Sequence, residues 1–388
     1  MSETILRFGV ELPEEVIPDN FFASLLFENL DFYVNHELIT SKSSDSDYYT
    51  SNYVFLRDGF NESALMAFGK TEGFYETRTR DLQNYVNESG AITPGGRAHI
   101  GYKRDSTVEV TREGVKYYQY WFSTPINHGL ARQDKPLPSG KKEHNFIFIT
   151  CLLGIPLQLT FNRARSSKGL IQIIAQRKGK SFSYPEKTIP LISPTLLCYF
   201  VESEKADSFY SKSKLYDVEL PFIDYSLRRE LLTEGVAEHR VKLFEGNLPS
   251  VFAVMLVEPK VFDGSYEFSS VKFTRHNLES LEVSVDGTSL SSHPLKMRNG
   301  NSLDFYVDYL RRTNRFYNLL TSSCLTQTEF DDSNFITFVN LKFENFRNGQ
   351  CAINLKFKAE LHEKLFLLIM PITERRLRFD AYKNTLLI

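Results

Sequence analysis

Toward the end of the stretch from Leu278 to Gly287, Leu281, Val283 and Val285 alternate with Glu282, Ser284 and Asp286. A period of two sends successive side chains to opposite faces of a strand, so the segment predicts a strand with one wet face. Asp286-Gly287 follows at once. Both central residues of a type I′ turn need positive φ, which this dipeptide tolerates, so the strand should fold back as a hairpin. The wider stretch, Leu248 to Met297, reads as strand, loop, strand, tight turn, strand. Its first strand is the apolar run Val251 to Val257, ended by Glu258-Pro259, and its loop is the turn-rich Val261-Phe262-Asp263-Gly264-Ser265.

The hairpin has a counterpart far upstream. Phe27 to His36 aligns with Leu278 to Gly287, matching Glu28 with Glu279, Leu30 with Leu281 and Val34 with Val285. Asp31 pairs with Glu282 and Asn35 with Asp286. Each copy alternates apolar and polar residues and then turns on an Asn- or Asp-led pair. A repeat at this separation predicts two β domains with related plans.

The chain has 388 residues, enough for two domains with proper cores. Aromatics make up 14%, carried by 32 Phe and 20 Tyr, and such a composition favours sheets. The expected fold class is all-β: two tandem jelly-roll β-sandwich domains, a double jelly roll, with long loops and a few short helices. The expected division is a first jelly roll with an N-terminal arm at 1–205, a polar, Ser-rich linker at 206–226, and a second jelly roll at 227–388. Formal net charge is −2 without a long basic tract, which argues against bulk or specific nucleic-acid binding. Cys151, Cys198, Cys324 and Cys351 form no C-x-x-C pair, and three lie in apolar text that reads as buried free thiols of a reducing compartment. The acidic start lacks a signal-peptide core, and no apolar run reaches membrane-spanning length.

Along the chain, residues 1–20 read as an arm and Phe21 to Phe27 as an apolar strand. A short helix is expected around Ala64-Leu65-Met66. Strands are expected at Thr107 to Val110, Tyr117 to Phe122, Phe146 to Leu153, Leu157 to Phe161, Leu170 to Ala175 and Thr188 to Val201. Leu303 to Leu320 carries the three-four spacing of a helix. Phe335 to Phe343, Cys351 to Phe357, Leu365 to Met370 and Arg376 to Asp380 complete the strands, with Pro371 ending the third of these. Long loops fall at 70–106, 123–145 and 298–337, and loops of that length in compact domains are usually contact or functional surfaces.

Chemistry-bearing residues do not assemble into a motif. Phe68-Gly69-Lys70-Thr71 lacks the second glycine of a phosphate loop, since Ala64 stands at that position. The histidines, His36, His99, His128, His144, His239, His276, His293 and His362, include no i, i+4 pair, so a metal site would have to be built from distant positions. There is no G-x-S-x-G. The carboxylate pairs Glu14-Glu15 and Asp331-Asp332 read as solvated loop charges. Arg78, Arg80, Arg97, Lys103 and Arg104 read as a solvated basic loop, and Tyr117 to Phe122 as a hydrophobic sheet face rather than a stacking platform. No catalytic, cofactor-binding or metal-ligating residue is assigned, and no cofactor is expected.

Leu248-Pro249, the strand after it, Val257-Glu258 and Val261 to Ser265 resemble a motif of the major capsid proteins of Polinton (Maverick) elements and adintoviruses. Phe273, His276-Asn277-Leu278, Leu281, Val285-Asp286-Gly287 and His293-Pro294-Leu295 continue it in order. Phe305 to Asp308, Leu377 to Asp380 and, more loosely, Asn35-His36 before Leu38-Ile39 extend it over nearly the whole chain. Asp263 stands where the family has Asn, His293 where it has Lys, and Ser284 where it has a large apolar residue, a pattern of a divergent or domesticated member.

The resemblance implies a structural major capsid protein, not an enzyme. It implies homotrimeric, pseudo-hexagonal capsomers of an icosahedral virus-like shell, with neighbouring capsomers and a penton or minor capsid protein as partners. The long loops would form the capsomer top, and the arm would point inward or clasp neighbours. Localisation would be the virion, after assembly inside the host cell. Two other classes stay open. One is a jelly-roll binding module, such as a minor capsid, receptor- or glycan-binding or domesticated protein, whose pocket would be lined by loop aromatics and acids. The other is a cupin-like metalloenzyme.

Overall fold

The protein is described from a computed structural model at residues 5–19, 22–34, 36–38, 100, 103–105, 107–125, 157–164, 166–174, 184–197, 218–266, 268–270, 272–290, 294–297, 302–312, 326–341, 346–380 and 385–387. The expected helix at Ala64 to Met66, the strand at 146–153, the glycine-lysine turn at 69–71, residues 206–217 of the linker, and Cys151, Cys198 and Cys324 lie outside them.

The second half forms two antiparallel sheets. One holds β10 (Val218–Tyr225), β19 (Leu365–Asp380), β13 (Val251–Val257) and β17 (Ile336–Asn340) in that order; β11 (Arg228–Leu232) and β20 (Thr385–Leu387) also pair with β19. The other holds β12 (Glu238–Asn247), β18 (Asn348–Phe357), β14 (Leu278–Val285) and β15 (Thr288–Ser289), with β16 (Leu295–Lys296) beside β14. Let β10 and β11 share the first strand position, and β15 and β16 the fifth. The sheets then read 1-8-3-6 and 2-7-4-5. This interleaving of early and late strands in two sheets is the jelly-roll plan.

Both strands that opened the sequence argument are where expected. Every residue from Phe252 to Val257 in β13 is 0% exposed, which is why that run is continuously apolar rather than alternating. In β14, Leu281, Val283 and Val285 are buried while the residues between them are less so. On β18, Cys351, Ile353, Leu355 and Phe357 are buried in the same alternation, and burial pushes the Cys351 thiol up to about 12.

In the first half, β5 (Val108–Arg112), β6 (Val115–Pro125), β1 (Ile5–Pro13) and β9 (Ile192–Leu197) form one sheet. The strands β4 (Glu37–Leu38), β3 (Phe27–Val34) and β7 (Leu157–Arg163) form a second, and β2 (Val16–Pro18) pairs with β8 (Ile171–Ile173). The repeat holds in register. The β3–β7 ladder shifts between Phe27 and Asn29, and the β14–β18 ladder between Leu278 and Ser280, at aligned positions. Val34 pairs with Glu37 and Val285 with Thr288, each across a two-residue turn. His36 (φ 67°) occupies the left-handed position that Gly287 (φ 79°) fills in the other copy.

Several expectations are corrected. Residues 5–18 are not an arm: β1 is central in its sheet, and Leu6, Phe8, Val10 and Leu12 alternate into the core. Phe22–Leu25 is a helical turn, α1, which lets Phe22, Ala23, Leu25 and Leu26 all bury at three-four spacing, as a strand would not. Residues 218–225 of the expected linker are strand β10. β19 runs through Pro371 without a break. The Pro371 carbonyl accepts from Ser226 N, so its nitrogen, on the same side, faces the gap between β10 and β11, where no ladder donor is needed. Pro259–Phe262 is a short helix, α2, with proline in its first turn. The helix expected from Leu303 is present as α3 (Leu303–Arg312); 313–320 lie outside the described residues. A further helix, α4 (Gln327–Ser333), lies inside the expected loop 298–337 and starts on a capping box between Thr326 and Glu329. Among the described residues, no helix is long and apolar enough to cross a membrane.

Candidate functional site

The loop Val261 to Ser265, which carries the most specific part of the resemblance, packs against the first half of the chain. Gly264 has φ +90°, and a Cβ there would stand 2.7 Å from the Lys168 carbonyl oxygen. Opposite it, Gly169 has φ +76° and could add a Cβ only 3.0 Å from the Gly264 Cα. Only glycine meets both the backbone angle and the close approach. The contact is stitched by Gly169 N donating to Ser265 O at 3.0 Å and Ser270 Oγ donating to Gly169 O at 2.8 Å.

Asp19, at the end of β2, is the polar centre of this seam and is 2% exposed. Its carboxylate accepts from Ser269 Oγ at 2.9 Å, Ser270 N at 3.3 Å and Gln172 Nε2 at 3.2 Å. Thus β2, β8 and the loop after α2 share one buried carboxylate. Removing it would leave several buried donors without their acceptor, which is how such groups come to be structurally indispensable. Lys103 is also 2% exposed and donates to Pro18 O at 2.8 Å. Tyr266 completes the seam: its hydroxyl is 2.8 Å from Ser167 Oγ, and its ring meets Tyr184 edge-on at 6.5 Å.

A second feature lies on the outer face of β1 and β6. Trp121, the only tryptophan, is 45% exposed and lies across Gly9, where a Cβ would meet its ring at 3.3 Å. Beside it is a cleft of about 540 Å³, lined among others by Glu11, Arg112, Tyr117, Tyr184, Lys187 and Ile192. Glu11 is held by Arg112 at 3.1 Å and by Gln119 Nε2 at 3.1 Å. Burial raises the Tyr184 hydroxyl above its ordinary pKa.

His36 is an exposed hairpin turn residue. His239 Nε2 lies 3.2 Å from Val236 O, and its ring meets Phe357 edge-on. His276 sits in a left-handed turn with Asn277, and burial lowers its pKa to about 4 against the pull of Glu258. His362 is exposed. His99, His128, His144, His293, Arg78, Arg80 and Arg97 lie outside the described residues. Three charges expected in solvent are structural instead. Glu15 is 4% exposed, Lys103 is buried, and Asp331 accepts from Arg275 Nε at 3.2 Å and from the Ser302 hydroxyl. Arg104 sits 4.1 Å over the Tyr118 ring. On Tyr117 to Phe122, Tyr120 and Phe122 are buried, as a sheet face requires. Among the described residues, no group of three His, Cys, Asp or Glu side chains could hold a metal. Sequence reasoning missed Asp19 and Gly169; neither lies in a motif, and only the fold brings them to Ser269 and Gly264.

No protein-family profile and no curated protein sequence matches the chain. Solved structures do. A chain of the Sputnik virophage is 10% identical, with a TM-score of 0.56 over 100% of this chain and 81% of that one. The PBCV-1 virus capsid is 9% identical, with a TM-score of 0.54 over 100% and 89%. The mavirus major capsid protein is 10% identical, with a TM-score of 0.52 over 99% and 83%. The likeness is one of fold and covers both halves: the chain has the double jelly-roll fold of these capsid proteins.

Proposed function

We propose that the chain is the major capsid protein of a virus or virus-like element, building trimeric, pseudo-hexagonal capsomers of an icosahedral shell. The observation that carries this reading is the match of fold along the whole chain, both jelly rolls included, to capsid proteins. The Leu248 to Leu295 motif supports the finer assignment to the Polinton and adintovirus type. The seam gives that motif a physical reason, because Gly264 and Ser265 pack against the first half. In this reading the first jelly roll is 1–205 and the second runs from β10 at Val218 to 388, which leaves 206–217 between them. The partners are other copies of the chain, neighbouring capsomers and a penton or minor capsid protein. The role is structural and non-enzymatic, without specific nucleic-acid binding, and the site of action is the virion, after assembly inside the host cell. Light scattering on the purified protein, followed by negative-stain imaging of the same peak, tests it. A species of about three times the chain mass with a hexagonal outline is expected; a strict monomer at high concentration would overturn it.

A further inference from the structure

The turn between β11 and β12, residues 233–237, projects from the second half. A Cβ on Gly235 would meet nothing within 4 Å, so the tip stands in open space. It is nonetheless rigid. Gly235 N donates to Leu361 O at 2.8 Å, Leu361 N to Val236 O at 3.3 Å, and Phe357 N to Ala237 O at 2.8 Å. A rigid tip has little conformational entropy left to lose on docking. Two apolar side chains stand exposed at it, Val236 in the turn at 39% and Leu231 near the end of β11 at 52%, on either side of Glu234, the one charged residue of the turn.

The cleft on the first half has the opposite character. It is concave, and Tyr117, Tyr184 and Ile192 supply apolar walls. Its carboxylates are withdrawn and its cations are forward: the Arg112 side chain is 63% exposed against 15% for Glu11, and Glu15 is buried. Lys187 is exposed at the rim, and its neighbour Glu186 is engaged by Lys168 at 2.7 Å. An acidic, apolar knob and a cation-rimmed, apolar hole on different parts of one chain form a heterologous pair, the kind that closes rings.

We propose that the β11–β12 tip of one copy docks into the β1–β6 cleft of the next, with Leu231 and Val236 against its apolar walls and Glu234 at Lys187. This rests on the trimeric reading above and names the contact that makes it. The test is sedimentation of the full-length chain at several concentrations, with Trp121 fluorescence and circular dichroism to confirm folding. Leu231→Asp with Val236→Asp is expected to shift the trimer to monomer. Lys187→Glu alone and Glu234→Lys alone should each weaken the trimer at least tenfold, and the two together should restore it. The swap leaves the apolar tip intact, so it decides the matter if the double aspartate variant fails to fold. A wild-type trimer indifferent to both the tip variant and the swap overturns this contact alone. A wild-type monomer overturns the contact and the capsid reading together.

Discussion

The two hairpins, Phe27 to Leu38 and Leu278 to Ser289, share a bulge, a register and a left-handed turn position, yet they stand in different surroundings. The second belongs to a jelly roll whose two sheets cover one another. The first belongs to a half in which β2 and β8 lean on the other half through the Asp19 carboxylate. The outward faces of the two halves differ too: β14 presents Ser280, Glu282 and Ser284, whereas β6, in the other sheet of the first half, presents Tyr117, Gln119 and Trp121. The lesson is that alternation dictates which side of a strand is inside, while what covers the other side is decided by neighbours. A wet outward face needs nothing; an aromatic one calls for a partner.

The sharpest way to break the comparison is to empty one inward position. Leu281→Ala is expected to cost roughly 2–5 kcal/mol in urea denaturation, because a fully buried leucine leaves a cavity. On the outward face of the same strand, Ser284→Ala should stay within about 0.5 kcal/mol. Equal costs would show that β14 does not have one inner and one outer face.

The seam is tested by Gly264→Ala, which forces a Cβ onto the Lys168 carbonyl at 2.7 Å and strains a left-handed backbone. With backbone strain and overpacking together, a loss of about 3 kcal/mol is expected. Hydrogen exchange should lose protection first at β2 and β8 while β13, β14 and β18 keep theirs. Uniform loss across both halves would show that the halves unfold as one.

A third comparison uses two left-handed histidines. His36 is exposed, and His276 is partly buried with its pKa lowered to about 4 by desolvation. A folded-state pKa below the unfolded one, near 6.5, means that the unfolded chain takes up the proton first. Stability from this group is therefore full above about pH 6.5 and declines as pH falls toward 4, by up to about 3 kcal/mol. Asn tolerates the same backbone angle, so His276→Asn should flatten this part of the pH–stability profile; a profile that the substitution leaves as steep as before would overturn this account of His276.

The smallest effect is at the matched turn position. Gly287→Ala places a Cβ in open space, so only the left-handed backbone resists it, at about 1 kcal/mol. His36→Gly should gain a few tenths of a kcal/mol by relieving the same strain in the other copy. Thermal unfolding of the two variants would show opposite signs; the same sign in both would mean that the turns are not equivalent.

Much of the fold was legible because period two and turn chemistry are local. Val251 to Val257, Leu278 to Gly287 and Cys351 to Phe357 declared themselves. The helix at Gln327 did not, although Thr326 and Glu329 carried its capping signal, because Asp331-Asp332 looked like loop charge. Pro371 looked like a strand end because its tolerance depends on a gap in the neighbouring strands. The residues of the seam were illegible for a stronger reason. Asp19 and Ser269 are separated by 250 positions, and nothing in either local sequence announces the other.

By itself, then, the sequence determined the all-β class, the repeated hairpin and the inward face of its strands, since each follows from the chirality and pleat of a few neighbouring residues. Only the tertiary structure decided that residues 5–18 are core rather than arm, that Gly264 and Gly169 must be glycines, and that Asp19 is buried among donors. Those outcomes depend on contacts between segments far apart in the chain, such as the 3.0 Å hydrogen bond from Gly169 N to Ser265 O, and such contacts exist only once the sheets have closed.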